Sequence, residues 1–189
     1  MDLDFDVVDL DDTTVDAPTV GDTVPDFTRP LVNAEYWEDT AFSNVYSEGP
    51  TLLVFHPMDG AFPATYVWNE IRDRGWEGRE VRSTPGAASG EQSDPRAVQV
   101  VGVSISSPYE HKTLIEERGI SSRLFSDPNA GVAEAFGIAW DLDDMEGIRE
   151  PLPAVFLVDE EGVVQYAWVA SEWPDFPDYD EVGAAIDDL

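Results

Sequence analysis

The sequence predicts a single α/β domain in which helices cover both faces of a central mixed β-sheet. Two short, mainly apolar runs at 51–57 and 97–105 each lead into a segment with helix signals, as in parallel βα units. Two later apolar runs, 153–159 and 162–170, flank a Glu-Glu-Gly turn that is typical of an antiparallel hairpin. A length of 189 residues with 42% apolar composition fits one well-buried core.

The N-terminal 20 residues are acidic and precede the predicted domain at 21–189. Leu3, Phe5 and Val7 alternate with aspartates, which is the period of a strand with one apolar face. A disordered acidic tail is the alternative interpretation. The stretch 24–32 contains two prolines and favours short extended pieces.

The first βα unit begins with the apolar run "TLLVFHP" at 51–57, which suits a central strand. The turn "GAFPATY" at 60–66 then leads into a predicted helix that Gly75 can end. Residues 83–96 are small and polar with Gly and Pro, so they predict a flexible surface loop.

The second half of the chain repeats this order and closes with a hairpin. "SPYE" at 107–110 is a capping-box signal for a helix that ends at Gly119. A short helix is expected from Asp127-Pro128 to Gly137, and a last helix from Asp178 or Asp180. A crossover makes the first two strands parallel, and the hairpin adds antiparallel strands. This is the arrangement of a thioredoxin-like fold.

The charge is unusual, with 40 acidic residues against 10 basic ones and a net charge of −30 spread along the chain. Such a charge opposes compaction by self-repulsion, which about 1 M salt screens to a Debye length of roughly 3 Å. We therefore expect a cytoplasmic protein from an extreme halophile; an acidic interaction protein from an ordinary cell is the alternative. Nucleic-acid binding is not expected, because phosphate contacts need a basic surface.

The chain has no cysteine, which excludes disulfides, thiol catalysis and thiolate metal sites. It shows no export leader and no apolar stretch of about 18 residues, so no membrane association is expected. Two separated histidines among scattered carboxylates do not predict a metal site, and the glycines show no phosphate-binding pattern. No cofactor is expected.

Several motifs resemble peroxiredoxins of the alkyl hydroperoxide reductase/thiol-specific antioxidant (AhpC/TSA) group. "GDTVPDFTRPLV" is similar to the family's opening, and "LLVFHPMDGAFPAT" to its strand and P-x-x-x-T-x-x-C loop. "VVGVSISSPYEHKTLIEERGISSRLFSDPNAGVAEAFGI" resembles the family's middle section, and "PAVFLVDEEGVVQYAWV" its closing hairpin. The resemblance runs from about residue 20 to near the C-terminus and implies the thioredoxin-like fold.

The resemblance also implies catalytic positions, and most of them are degenerate here. The family's proline is kept as Pro57, but the threonine position is Ala61 and the peroxidatic cysteine position is Ala64. The arginine position falls on Pro153, which we expect to follow a cis peptide bond as in thioredoxins. Arg149 is a nearby candidate to replace the lost guanidinium. No catalytic residue is therefore assigned.

Other polar residues lie near the turn. His56 ends the first central strand, where it is a base, a metal ligand or a hydrogen-bonded structural residue, and Asp59 or Glu70 could pair with it. His111, in the first turn of a helix, is expected to be exposed. Thr65 is the one hydroxyl that could act as a nucleophile, but the spacing does not support a Ser/Thr-His-Asp arrangement.

Aromatic residues near the C-terminus, namely Trp173, Phe176 and Tyr179, predict either packing over the hairpin or an interface cluster. Trp68 has the same two interpretations. The resemblance implies a homodimer, and a redox protein is a further possible partner.

The function expected from the sequence is that of a redox-inactive peroxiredoxin-like protein serving as a structural or interaction module. Two alternatives remain open. One is an antioxidant role as the partner subunit of a cysteine-containing peroxiredoxin. The other is binding of an apolar small molecule in a vacated pocket lined by Ala61, Ala64 and Pro153.

Overall fold

The computed structural model describes residues 8–9, 15–81, 96–141 and 145–189. The strands are β1 Val8–Asp9, β2 Thr28–Val32, β3 Trp37–Ala41, β4 Thr51–Phe55, β5 Glu80–Val81, β6 Arg96–Ala97, β7 Gln99–Ser104, β8 Arg123–Ser126, β9 Ala139–Trp140, β10 Glu150–Pro151, β11 Ala154–Val158, β12 Val164–Val169 and β13 Glu172–Trp173. The helices are α1 Phe42–Tyr46, α2 Phe62–Arg74, α3 Pro108–Arg118, α4 Gly131–Ala135 and α5 Tyr179–Asp187.

Seven strands form one central sheet in the order β12-β11-β4-β7-β8-β2-β3. The pairs β4–β7 and β7–β8 are parallel, whereas β11 pairs antiparallel with both β4 and β12. The sheet is therefore mixed, as predicted, and α2 and α3 are the crossovers that make its centre parallel. The predicted fold class is confirmed.

The sheet separates two apolar clusters, one on each face. The first is built around Phe42, Phe55, Phe125, Phe136 and Phe156, and it packs against α1 and α4. The second contains Leu52, Val54, Val100 and Leu157 from the sheet, and α2, α3 and α5 contribute the residues that cover it. Because β4 is buried along its whole length on both faces, the run at 51–55 is continuously apolar instead of alternating.

The far edge of the sheet is a hairpin that the sequence did not predict. Strands β2 and β3 pair antiparallel from Thr28 with Ala41 to Val32 with Trp37. The side chain of Asn33 accepts hydrogen bonds from the backbone N–H groups of Glu35 and Tyr36, which fixes the turn. The strand β3 is largely exposed and lacks apolar alternation, so its sequence carries no clear strand signal.

The helix ends follow the predicted capping signals in α3 and α5. Ser107 and Glu110 form a capping box at α3, and Gly119 ends this helix with a φ of 62°. Asp178 caps α5 by accepting hydrogen bonds from the N–H groups of Asp180 and Glu181.

The start of the fourth helix is later than predicted. It begins at Gly131, because residues 127–130 first form a turn that ends with Ala130 in the left-handed region at a φ of 54°. The side chain of Asp127 then accepts a hydrogen bond of 2.7 Å from Val132 N–H, in the first turn of the helix.

Two predicted features lie wholly or mostly outside the described residues. These are the strand through Leu3, Phe5 and Val7 and the loop at 83–96, except that Arg96 pairs with Val81 in β6–β5. The short strand β1 pairs with β13. In the described part of the chain, no helix is long and apolar enough to span a membrane.

Candidate functional site

The strand-to-helix turn, residues 56–61, connects the end of β4 to the start of α2. Ala61 is the N-cap residue of α2, and its N–H donates to Met58 O at 3.0 Å. No side chain caps the helix here, and Pro63 occupies its first turn. The helix therefore begins at Phe62, within the segment 60–66 that the sequence assigns to the turn, in keeping with the preference of proline for the first turn.

Ala64, at the cysteine position of the resembling family, is 0% exposed and belongs to the apolar cluster with Val67 and Trp68. A small cavity of about 10 Å³ lies nearby, with Pro63, Pro153 and Phe176 in its lining. This volume holds about one water molecule. Pro153 lines this cavity, whereas Ala61 and Ala64 do not.

The cis bond expected before Pro153 is wrong, and the candidate Arg149 does not replace the missing arginine. Among the described residues the cis peptide bond is Trp173–Pro174, so the bond before Pro153 is trans. Arg149 does not reach the turn, because its guanidinium is paired with Glu134 and donates to Ala139 O at 3.0 Å. It lines a separate open depression with Trp140.

On the other side of the turn the structure brings together a buried cluster of His56, Asp59 and His111, here called the His-Asp cluster. His56 Nε2 lies 2.8 Å from Asp59 Oδ1, and His111 Nδ1 lies 2.8 Å from Asp59 Oδ2. The two histidine side chains are 1% and 0% exposed, and the carboxylate is 8% exposed. The three residues come from the turn and from α3, so the cluster joins these two elements.

Hydroxyl groups complete this network. Ser104 Oγ donates to Asp59 Oδ1 at 3.2 Å, and Asp59 N–H donates to Ser106 Oγ at 2.9 Å. Ser126 Oγ in turn donates to the carbonyl of Ser106 at 2.7 Å. The carboxylate of Asp59 thus accepts hydrogen bonds from three side chains, which come from the ends of β4 and β7 and from α3.

The hydrogen-bond partners constrain where the protons lie. His111 Nε2 is 3.1 Å from the carbonyl of Phe125, which can only accept, so this nitrogen carries a proton. A proton therefore also lies between His111 Nδ1 and Asp59 Oδ2, since two bare acceptors would repel each other. His56 Nδ1 is buried without a hydrogen-bond partner, so His56 is neutral and donates through Nε2.

The electrostatics of the cluster agree with this assignment. Burial lowers the pKa of His56, although the hydrogen bond to Asp59 opposes that shift. Burial alone would raise the pKa of Asp59, but the hydrogen bonds from His111 and His56 outweigh it and hold this pKa well below its usual range. Asp59 is therefore a carboxylate.

An open groove of about 320 Å³ borders the cluster between α2 and α3. It is lined by Asp59, Gly60, Thr65, Glu110, Thr113, Leu114, Glu117 and Arg118. Thr65 Oγ1 accepts a hydrogen bond of 3.2 Å from Arg118 Nη2. Within the described ranges, no group of three or more His, Cys, Asp or Glu side chains is arranged to hold a metal ion.

The predictions made from the sequence for these residues are only partly right. The pairing of His56 with Asp59 is confirmed, whereas Glu70 pairs with Arg74 at 3.0 Å. The expected exposure of His111 is wrong. A signal existed, because His111 shares one helical face with Leu114 and Ile115 at the i, i+3, i+4 spacing, and all three are buried.

The aromatic residues divide into buried and exposed sets. Trp68 is fully buried, so its packing interpretation is correct. Phe62 and Tyr66, on the outer face of α2, are 41% and 49% exposed. Tyr66 contacts Phe62 and Phe176, with ring centroids 4.7 and 5.6 Å apart. We call Phe62, Tyr66 and Phe176 the aromatic patch.

Comparison with known proteins points to one family. Residues 87–167 match the model of the AhpC/TSA family. A chloroplastic 2-cysteine peroxiredoxin of Chattonella marina var. antiqua is 24% identical over 157 residues, covering 79% of this chain and 70% of that protein.

Solved structures share the fold. The crystal structure of the peroxidoxin BcpB from Mycobacterium tuberculosis superposes with a TM-score of 0.67 at 24% identity, covering 89% of this chain and 94% of that one. AhpC from Enterococcus faecalis superposes with a TM-score of 0.64 at 17% identity, with 89% and 90% covered.

The resemblance seen in the motifs is thus confirmed by the family match, the related sequence and the shared fold. The chain is similar to AhpC/TSA-family proteins over residues 87–167 and shares the fold of solved peroxiredoxins, and it contains no cysteine.

Proposed function

We propose that this protein is a redox-inactive member of the peroxiredoxin-like group that acts as an interaction module. The observation that carries the proposal is the full AhpC/TSA-type fold in a chain with no cysteine. Thiol peroxidases use a thiolate to attack the O–O bond, and the resulting sulfenic acid is reduced by a second thiol. Without a thiol at position 64 or elsewhere, the chain has no group that can donate these electrons.

The first test is a peroxidase assay in molar KCl with a thiol reductant and hydrogen peroxide. We expect no turnover above the protein-free blank, and a cysteine-containing peroxiredoxin in the same buffer shows that the assay works. Thiol-dependent turnover that scales with the concentration of this protein would overturn the proposal.

The aromatic patch is the surface that we propose for the interaction, and a second copy of this chain is the proposed occupant. Phe62 and Tyr66 are large, exposed and adjacent, which is unusual for residues that have an apolar core available. Aromatic side chains are favoured as contact anchors. Each copy carries a net charge of −30, so the association should strengthen as salt screens the repulsion between copies.

This surface can be tested by sedimentation of the protein at high and low KCl. We expect a dimer in molar salt that the double variant Phe62→Ser with Tyr66→Ser converts to a monomer. Tyr109→Ser is the matched control, since Tyr109 is 71% exposed and lies outside the patch. A monomer in every condition, or a dimer that survives the double variant, would contradict this surface.

The same preparation tests the role as a partner subunit. Co-purification with a cysteine-containing peroxiredoxin in molar KCl, lost in the double variant, would replace the homodimer by that complex. Binding of an apolar small molecule beside Pro153 is less favoured, because the cavity that Pro153 lines holds only about 10 Å³ and does not include Ala61 or Ala64. We further propose 21–189 as the domain and a salt-rich cytoplasm as its setting.

A further inference from the structure

The His-Asp cluster is a buried polar network for which the proposed interaction role has no use. Its position is specific, because it joins the strand-to-helix turn to α3 while the backbone of the turn is held mainly to β7. His56 N–H donates to Val103 O at 3.1 Å, and Ile105 N–H donates to Pro57 O at 3.3 Å. The carboxylate of Asp59 is the side chain that reaches across to α3.

We propose that the His-Asp cluster is a proton-operated latch, with His56 as the sensor and Asp59 as the link that releases the turn from α3 when His56 takes up a proton. In the closed state His56 is neutral, and its Nδ1 has no hydrogen-bond partner. A proton on Nδ1 would create a buried N–H group without an acceptor. It would also place a buried positive charge on His56, close to the protonated ring of His111. Opening the turn exposes His56 to water and removes both costs.

The groups that face His56 support this role. Asp59 contacts His56 from within the turn. The ring centroid of His56 lies 6.4 Å from that of His111 in α3 and 5.8 Å from that of Trp68 in α2. Asp175 and His56 both line the cavity of about 10 Å³ beside Pro153. The carboxylate oxygens of Asp175 accept hydrogen bonds from the N–H groups of Ser171 and Phe176.

The groups that face Asp59 complete the surroundings of the latch. Ser104 and Ser106 hydrogen-bond to it from the segment at the end of β7, and Glu110, Glu117 and Arg118 line the groove that it borders.

The pKa values in the closed and open states determine how the open population changes with pH. Burial lowers the pKa of His56 in the closed state, whereas an exposed histidine in the open state titrates near 6.5. Below about pH 6.5 both exposed histidines of the open state are protonated, whereas in the closed state only His111 carries protons on both ring nitrogens. The open state therefore binds one proton more than the closed state, and its population rises by up to about tenfold per pH unit as the pH falls. The pKa of Asp59 is also lowered in the closed state, so below about pH 4 the open state takes up a further proton and the closed state loses more stability.

The test uses hydrogen exchange of the full chain in molar KCl between about pH 6.5 and 5, corrected for intrinsic exchange rates. The amides of Asp59 and Ala61 in the turn should lose protection as the pH falls, by up to about tenfold per unit, while core amides of β4 and β7 keep theirs. If the turn amides and the core amides lost protection equally as the pH falls, the latch proposal would be overturned.

Two variants assign the effect to the sensor. His56→Gln keeps an N–H donor for Asp59 but cannot titrate, so the pH dependence of turn exchange should disappear. Asp26→Asn is the control, because Asp26 is also a hydrogen-bonding carboxylate, bound to Ser43 and Phe27 and not to the histidines. A wild-type pH slope retained in His56→Gln would contradict the proposal.

If His56→Gln does not fold, NMR of the His56 ring in the wild type tests whether its protonation is coupled to opening of the turn. The ring should remain neutral in the closed state through pH 6.5, and protonation should coincide with turn opening. Ordinary titration of His56 near pH 6.5 with an unchanged turn would overturn the latch.

Discussion

The two sides of the strand-to-helix turn differ in kind, although they lie within a few residues of each other. On one side lie Ala61, Ala64 and Pro153, which the motif resemblance aligns with the family's reactive positions and which supply no polar side chain. On the other side, His56, Asp59 and His111 form a network in which Asp59 binds both histidines. Ala64 is buried among apolar side chains, whereas the polar side is hydrogen-bonded.

From this difference we infer that the backbone shape of the strand-to-helix turn does not depend on which side chains occupy positions 61, 64 and 153. The backbone course from β4 through Pro57 into α2 is set by hydrogen bonds to β7 and α3 and by packing of Trp68 beneath the helix. None of these contacts involves the side chain of Ala61 or Pro153. The two sides should therefore respond differently to substitution.

The largest effect is expected from Asp59→Ala on the polar side. It leaves His56 Nε2 and His111 Nδ1 buried without their acceptor, so the free energy of unfolding should fall by about 3 kcal/mol or more. Chemical denaturation in molar KCl measures this. The matched change Asp26→Ala removes a more exposed carboxylate and should cost about 1 kcal/mol. Equal losses in the two variants would show that the network does not stabilise the turn.

Packing under the turn is tested by Gly102→Ala in β7. A Cβ at this position would lie 2.5 Å from Trp68 Cζ2 and 2.7 Å from Leu124 Cδ2, closer than packed atoms allow. Shifts of these buried side chains should lower the free energy of unfolding by about 1–3 kcal/mol. Gly60→Ala is the control, since nothing lies within 4 Å of its added Cβ. Similar midpoints for Gly102→Ala and the wild type would mean that Trp68 has room to move.

A smaller effect is expected at the start of α3, the helix that carries His111. Ser107→Ala removes the capping box, in which Ser107 N–H also donates to Glu110 at 2.7 Å, and should cost about 1 kcal/mol. Thr113→Ala, an exposed change within the same helix, should stay within about 0.5 kcal/mol of the wild type. A larger loss in Thr113→Ala than in Ser107→Ala would contradict the capping role.

The sequence predicted the parts of this comparison that depend on local signals. The apolar runs indicated β4, β7 and the closing hairpin, and the Ser107 and Asp178 signals indicated the starts of α3 and α5. His111 was misplaced because its partner Asp59 is 52 residues away along the chain, and only tertiary packing brings them together. The β2–β3 hairpin was missed because an exposed edge strand needs no apolar alternation.

The smallest effect is expected from Ala64→Cys on the apolar side, assayed as thiol-dependent peroxide turnover in molar KCl. The new thiol would lie where Ala64 is 0% exposed among apolar side chains, and such burial disfavours the thiolate. Ala61 and Pro153 still provide no hydroxyl and no guanidinium to stabilise the developing charge. We therefore expect turnover indistinguishable from the wild type, and Ala64→Ser, of similar size and without sulfur, is the control for altered packing. A rate like that of an ordinary peroxiredoxin would mean that the assignment of Ala61 and Pro153 to the lost catalytic positions is wrong, because sulfur alone would then restore the site.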